Sequence, residues 1–134
     1  MQGEWIREPQ GEASAIFVHG IRSSGETCWR NANGSYWPEL LRNEPELAQL
    51  GIYVFTYQTD IFSGSYRLLD IVDALNEAMQ HHHVLECNRL IFVCHSMGGI
   101  VVRKFIVSQA VNLNETKREI IVRGGAIVGH GAAA

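Results

Sequence analysis

The stretch that decides the fold is RLIFVCHSMGGIVVRKFIV, Arg89 to Val107. Its first part, Leu90 to Cys94, is a short apolar run of β-branched and aromatic residues, the composition of a strand buried on both faces. Its last part carries Ile100, Val101, Val102, Phe105, Ile106 and Val107, with Arg103 and Lys104 as the exceptions, which reads as a largely buried helix. Between the two lies Ser96, with Cys94 two residues before it and Gly98 two residues after. A strand that must turn sharply into a helix leaves little room for side chains at those flanking positions, so small residues are wanted there. Ser96 also sits at the start of the helix, where the macrodipole favours negative charge. The plain alternative is a serine that caps a core helix.

Working outward, three further apolar runs read as strands: Ala15 to Val18, Ile52 to Tyr57, and Gly125 to Val128 with Ile120 to Val122 leading into it. Helical segments lie between them. From Tyr66 to His81, the residues Leu68, Ile71, Val72, Leu75 and Met79 form one apolar stripe, while Asp70, Asp73 and Glu77 fall off it. A weaker helix spans Trp37 to Leu50, with Pro38 suited to a first turn and Pro45 placed to kink or divide it. The alternation of strand and helix predicts an α/β fold with a mostly parallel open sheet of about four strands, right-handed crossovers, and helices on both faces. The 134 residues suit a single domain, 1–134. The Gly131-Ala132-Ala133-Ala134 tail reads as a frayed end.

Composition narrows the classes of function. With 46% hydrophobic and 19% charged residues, the chain reads as an ordinary globular protein. A net charge of -3, from only 11 scattered Lys and Arg, argues against nucleic acid or an anionic membrane as partner. Three cysteines, Cys28, Cys87 and Cys94, at unrelated spacings suggest neither a disulfide framework nor a metal site, and fit a reducing, cytoplasmic setting. No secretory signal and no membrane-spanning run is visible. His81-His82-His83 does not converge on one ion and reads as a solvated helix end. No phosphate-binding glycine motif follows a strand, so a nucleotide-binding domain is set aside, and no cofactor is expected.

The motif around Ser96 is C-x-S-x-G, which departs from the G-x-S-x-G nucleophile elbow at its first small residue. In such an elbow the serine hydroxyl stands above the carboxyl end of the sheet and the next backbone N–H faces a developing oxyanion. A second signal is the end of the first strand, IFVHGIRSSGETCW, where His19-Gly20 opens a loop able to bring a backbone N–H near the serine. The candidate oxyanion donors are thus the N–H groups of Met97 and Ile21. His19 reads first as a residue that shapes this loop and second as a substitute base. Asp60, at the end of YVFTYQTD, reads first as a loop or capping aspartate and second as a residue lining the same cleft. His95 adjoins Ser96 in sequence and is expected to point the opposite way.

Taken together, AIFVHGIRSSGETCW, YVFTYQTD and LIFVCHSMGGIVVRKFI resemble the α/β-hydrolase fold, in its serine esterase and lipase-like branch. That branch includes GPI inositol-deacylase-like proteins and hydrolase-like domains beside STAND-type signalling NTPases. The resemblance covers about residues 13 to 112, with a weaker likeness at VRGGAIVGHG. It implies the N-terminal portion of the fold, through the strand after the elbow helix, and hydrolysis of small-molecule or lipid esters through an acyl-enzyme on Ser96. The family places its acid and histidine on loops after later strands, in the order nucleophile, acid, histidine. Neither has a matching position in these residues. His130 falls where relatives carry the histidine of G-T-P-H, which is not their triad base, and it lacks the Thr-Pro pair. The competing reading is a non-catalytic, degenerate module that interacts with itself or a partner domain through an exposed sheet edge.

Overall fold

The structure, a computed structural model, describes residues 3–19, 29–57, 68–95, 97–109 and 119–124. Its elements in chain order are β1 (Gly3–Arg7), β2 (Ala13–Val18), α1 (Trp37–Arg42), β3 (Gly51–Phe55), α2 (Leu68–His81), β4 (Arg89–Cys94), α3 (Gly98–Ser108) and β5 (Glu119–Gly124). Single 3₁₀ turns lie at Pro45–Leu47 and Val84–Glu86. The five strands form one sheet in the order β1-β3-β2-β4-β5. β2 through β5 are parallel, with Val18 opposite both Phe55 and Cys94.

Both faces of this sheet are covered, which is why its strands read as continuous apolar runs rather than alternating ones. On one face Ile16, Val18, Tyr53, Phe55, Leu90, Phe92 and Cys94 pack beneath α2 and α3. α2 supplies Ile71, Val72, Leu75, Ala78 and Met79, and α3 supplies Val101, Val102 and Phe105. On the other face Ala15, Phe17, Ile52, Val54 and Val93 meet Trp29, with Trp37 and Leu41 of α1 packed against them.

The expected helix over Trp37 to Leu50 ends at Arg42. Pro45 explains the break, because it lacks an N–H and pushes the residue before it out of the helical region. Glu44 accordingly has φ -84° and ψ 116°, and the chain restarts only as a 3₁₀ turn.

β1 adds an antiparallel edge to the parallel strands foreseen from the sequence, pairing Gly3 with Phe55 and Trp5 with Tyr53. Its Arg7 guanidinium donates to the carbonyls of Arg42, Leu47 and Leu50. Those carbonyls lie at or just beyond the ends of α1 and the 3₁₀ turn, where acceptors lack helical partners. Trp5 Nε1 donates to the His82 carbonyl, tying β1 to the end of α2.

The connections set the position of the site. After β2 the chain crosses to β3 over the α1 face, whereas after β4 it crosses to β5 through α3 on the opposite face. The crossovers that follow adjacent strands β2 and β4 therefore run on opposite faces, the switch point at which open α/β sheets bind ligands. Among the described residues no helix is long and apolar enough to cross a membrane.

Candidate active site

On one side of this switch point β4 passes into α3. The His95 N–H extends the parallel ladder by donating to the Val18 carbonyl at 3.1 Å, and the Gly98 N–H then donates back to the His95 carbonyl at 3.0 Å. Met97 is helical, with φ -64° and ψ -18°, and its carbonyl accepts from Ile100 and Val101. The helix thus begins two residues after the position of Ser96, with Met97 as its N-cap. The first N–H groups of a helix have no partner within it and point out of its start.

This tight turn presses α3 onto β2. A Cβ on Gly98 would run into the carbonyl oxygen of Val18 and lie 2.7 Å from that of His19. Backbone cannot yield as a flexible side chain can, so only glycine fits. A Cβ on Gly99 would stand 3.9 Å from the Cβ of Cys94, so the buried cysteine lies directly under the first turn. The small residue two after Ser96 therefore has a steric cause in this chain.

Ser96, Ile21 and Asp60 lie outside the described residues. Of the other candidates, Met97 heads α3 and His19 lies fully buried at the end of β2. His19 is held by Tyr57, whose backbone N–H donates to His19 Nε2 at 3.1 Å and whose hydroxyl donates to the His19 carbonyl at 2.7 Å. The two rings stack 4.2 Å apart at 12°. A nitrogen that accepts from an N–H carries no proton, which assigns the ring proton to Nδ1. The Nε2 lone pair is thus already used. This clamp fixes the backbone from which the loop toward Ile21 departs.

Tyr57 is the residue that sequence reasoning left out. Only the structure reveals it, because the contact depends on the pairing of Val18 with Phe55, which brings the segments that follow these strands together. Trp29, buried against Phe17 and 6.2 Å from the His95 ring, was also left out, and only its place after the His19-Gly20 loop pointed to it.

The remaining reactive groups are occupied elsewhere. Burial pushes the Cys94 thiol up to about 12, with the Arg103 charge only partly opposing this, so Cys94 is a poor nucleophile at neutral pH. Cys87 shares a hydrogen bond with the buried Ser14 hydroxyl. The consecutive histidines diverge, His82 Nδ1 bonding the Tyr53 hydroxyl and His83 Nδ1 bonding Glu86. Among the described residues no group of three metal-ligating side chains converges.

No protein-family model matches the chain, and no curated protein matches its sequence. Solved structures do match its fold. A hydrolase candidate from Agrobacterium vitis S4 aligns over 87% of this chain and 43% of its own, with TM-score 0.58 and 17% identity. A carboxylesterase structure from Nitrososphaera gargenis aligns over 91% and 40%, with TM-score 0.52 and 13% identity. A monoacylglycerol lipase from Paleococcus ferrophilus aligns over 92% and 43%, with TM-score 0.52 and 15% identity. The chain therefore has the architecture of an α/β-hydrolase core and spans less than half the length of the structures it matches.

Proposed function

We propose that this chain forms the nucleophile-bearing part of a serine hydrolase acting on carboxylic esters. The observation that carries this reading is the seating of Gly98 on the carbonyls of Val18 and His19, which holds the start of α3 against the end of β2, so that β4 passes into α3 by a short turn at the sheet's switch point. In this reading the turn is a nucleophile elbow. Ser96 Oγ attacks the ester carbonyl carbon, and the N–H groups of Met97 and Ile21 receive the negative charge that develops on the carbonyl oxygen. Collapse of the tetrahedral intermediate breaks the bond to the alcohol, which leaves with a proton, and water then releases the acid from Ser96.

The hydroxyl needs a base within hydrogen-bond reach. His19 spends its Nε2 lone pair on the Tyr57 N–H, so the base in this reading comes from outside the described residues. The same observation favours the second reading, a hydrolase-like module without turnover. A reducing, cytoplasmic location accords with the buried free thiols of Cys87 and Cys94.

The two readings part on an acyl-enzyme assay. The protein is mixed with p-nitrophenyl acetate, and p-nitrophenol release is followed together with peptide mapping of the acetylated residue. A burst with acetyl on Ser96, abolished by Ser96→Ala, is expected of the hydrolase. Acetylation that is equal in wild type and Ser96→Ala would leave the module without turnover.

A further inference from the structure

α2 and α3 lie side by side on one face of the sheet, in contact with each other. Each follows a parallel strand and leads to the next, so the two helices run in the same direction. Their inner faces are buried in the core, yet Leu69 of α2 is 61% exposed, and Ile100 and Val107 of α3 are 44% and 76% exposed. Among the described residues only one other large apolar side chain, Leu40, is exposed. A single apolar residue on a surface needs no explanation, whereas a concentration on one helical layer marks a contact surface. The charges of the two helices are also sorted by sign. α2, LLDIVDALNEAMQH, exposes Asp70, Asp73 and Glu77 and contains neither Lys nor Arg. α3, GGIVVRKFIVS, exposes Arg103 and Lys104 and contains no acid. Asp73 and Glu77 repel each other at i,i+4. Among the described residues neither of these carboxylates, nor the Lys104 ammonium, is in an ion pair.

We infer that this helical layer is an interface for a second copy of the chain, with α3 of each copy seated on α2 of the other. A two-fold axis parallel to the helices, over the groove between them, makes this exchange twice in one contact. Rotation about that axis leaves the paired helices parallel and brings the cationic face of α3 onto the acidic face of α2. Charge complementarity selects the second copy as the occupant. Setting α2 on α2, or α3 on α3, would bring like charges together, which suppresses those pairings. A partner of one sign throughout, such as a nucleic acid or an anionic bilayer, would be repelled by α2. In the cross-paired arrangement the charges set orientation and rate of encounter, while Leu69, Ile100 and Val107 supply apolar surface to bury. The inference is independent of any chemistry at Ser96.

The test is sedimentation equilibrium of the full chain at low ionic strength, where surface charges are least screened. Wild type is expected to dimerise. Lys104→Glu and Glu77→Lys each set like charges together in both halves of the two-fold contact, and each should raise the dimer Kd about tenfold or more. Both positions are exposed, so thermal melts of the variants should match wild type. Mixed in equal amounts, the two variants carry opposite signs at both contacts, and a heterodimer should form with a Kd within about threefold of the wild-type value. That recovery distinguishes cross-pairing of α2 and α3 from damage to the fold or from pairing through a sheet edge. A wild type that stays monomeric, a dimer that both variants leave intact, or folded variants whose mixture stays dissociated would each overturn the proposal.

Discussion

At the scale of single residues, two contacts shape the carboxyl end of β2. Gly98 touches the backbone of β2, so Gly98→Ala must push α3 away from the sheet or shift the carbonyls of Val18 and His19. Overpacking of this kind costs about 1–3 kcal/mol, and the expected outcome is a Tm lowered by roughly 5 °C or more in a thermal melt. A variant with unchanged Tm would mean that the turn is looser than described. The clamp of Tyr57 on His19 makes a second prediction. His19→Leu removes the acceptor that the buried Tyr57 N–H uses and should cost about 1–3 kcal/mol by urea unfolding, whereas Tyr57→Phe should cost about 1 kcal/mol. Cys94 provides a third. With its thiol pushed up to about 12 by burial, Cys94 stays overwhelmingly protonated at pH 8. Iodoacetamide should therefore leave Cys94 unmodified at pH 8 in the folded protein and alkylate it after denaturation.

At the scale of elements, the packing of α3 carries the largest single risk to the fold. Phe105 is fully buried against Phe92, and Phe105→Ala should cost about 3–5 kcal/mol. Loss of the cooperative unfolding transition would agree with this, and a stability within 1 kcal/mol of wild type would not.

The same elements show why some of the structure was legible in the sequence. α2 and α3 announced themselves through apolar spacing, and β2, β3 and β4 through short runs with no polar alternation. Each signal reflects burial, which hydrophobic residues record directly. β1 gave a weaker signal, because GEWIR mixes charge with apolar residues, as an edge strand does. Its place is fixed by Arg7 reaching distant carbonyls and by Trp5 reaching His82, contacts between residues far apart in the chain. The shortening of α1 at Pro45 was foreseeable in kind, since a proline there must interrupt the helix, but its end at Arg42 depends on local backbone geometry.

At the scale of the whole molecule, the switch point follows from topology before any side chain is considered. The crossovers after β2 and β4 run on opposite faces, with His19 after the end of one strand and His95 after the end of the other. That much was readable from motif and periodicity. That Trp29 Nε1 and His95 Nδ1 are buried without a hydrogen-bond partner among the described residues was not, because an unpaired buried atom is a property of packing and leaves no trace in spacing. Nor could the sequence show that His19, its substitute base, spends its Nε2 lone pair on the Tyr57 N–H. The architecture is shared with esterase and lipase structures at 13–17% identity, which establishes the fold and leaves the chemistry to be tested.

The most direct test of the central claim is covalent labelling of the full chain by a fluorophosphonate, read by intact mass and peptide mapping. The account predicts one adduct per chain, located on Ser96, absent in Ser96→Ala and slowed in Gly98→Ala. No adduct on a chain that melts cooperatively, or an adduct that persists in Ser96→Ala, would contradict it.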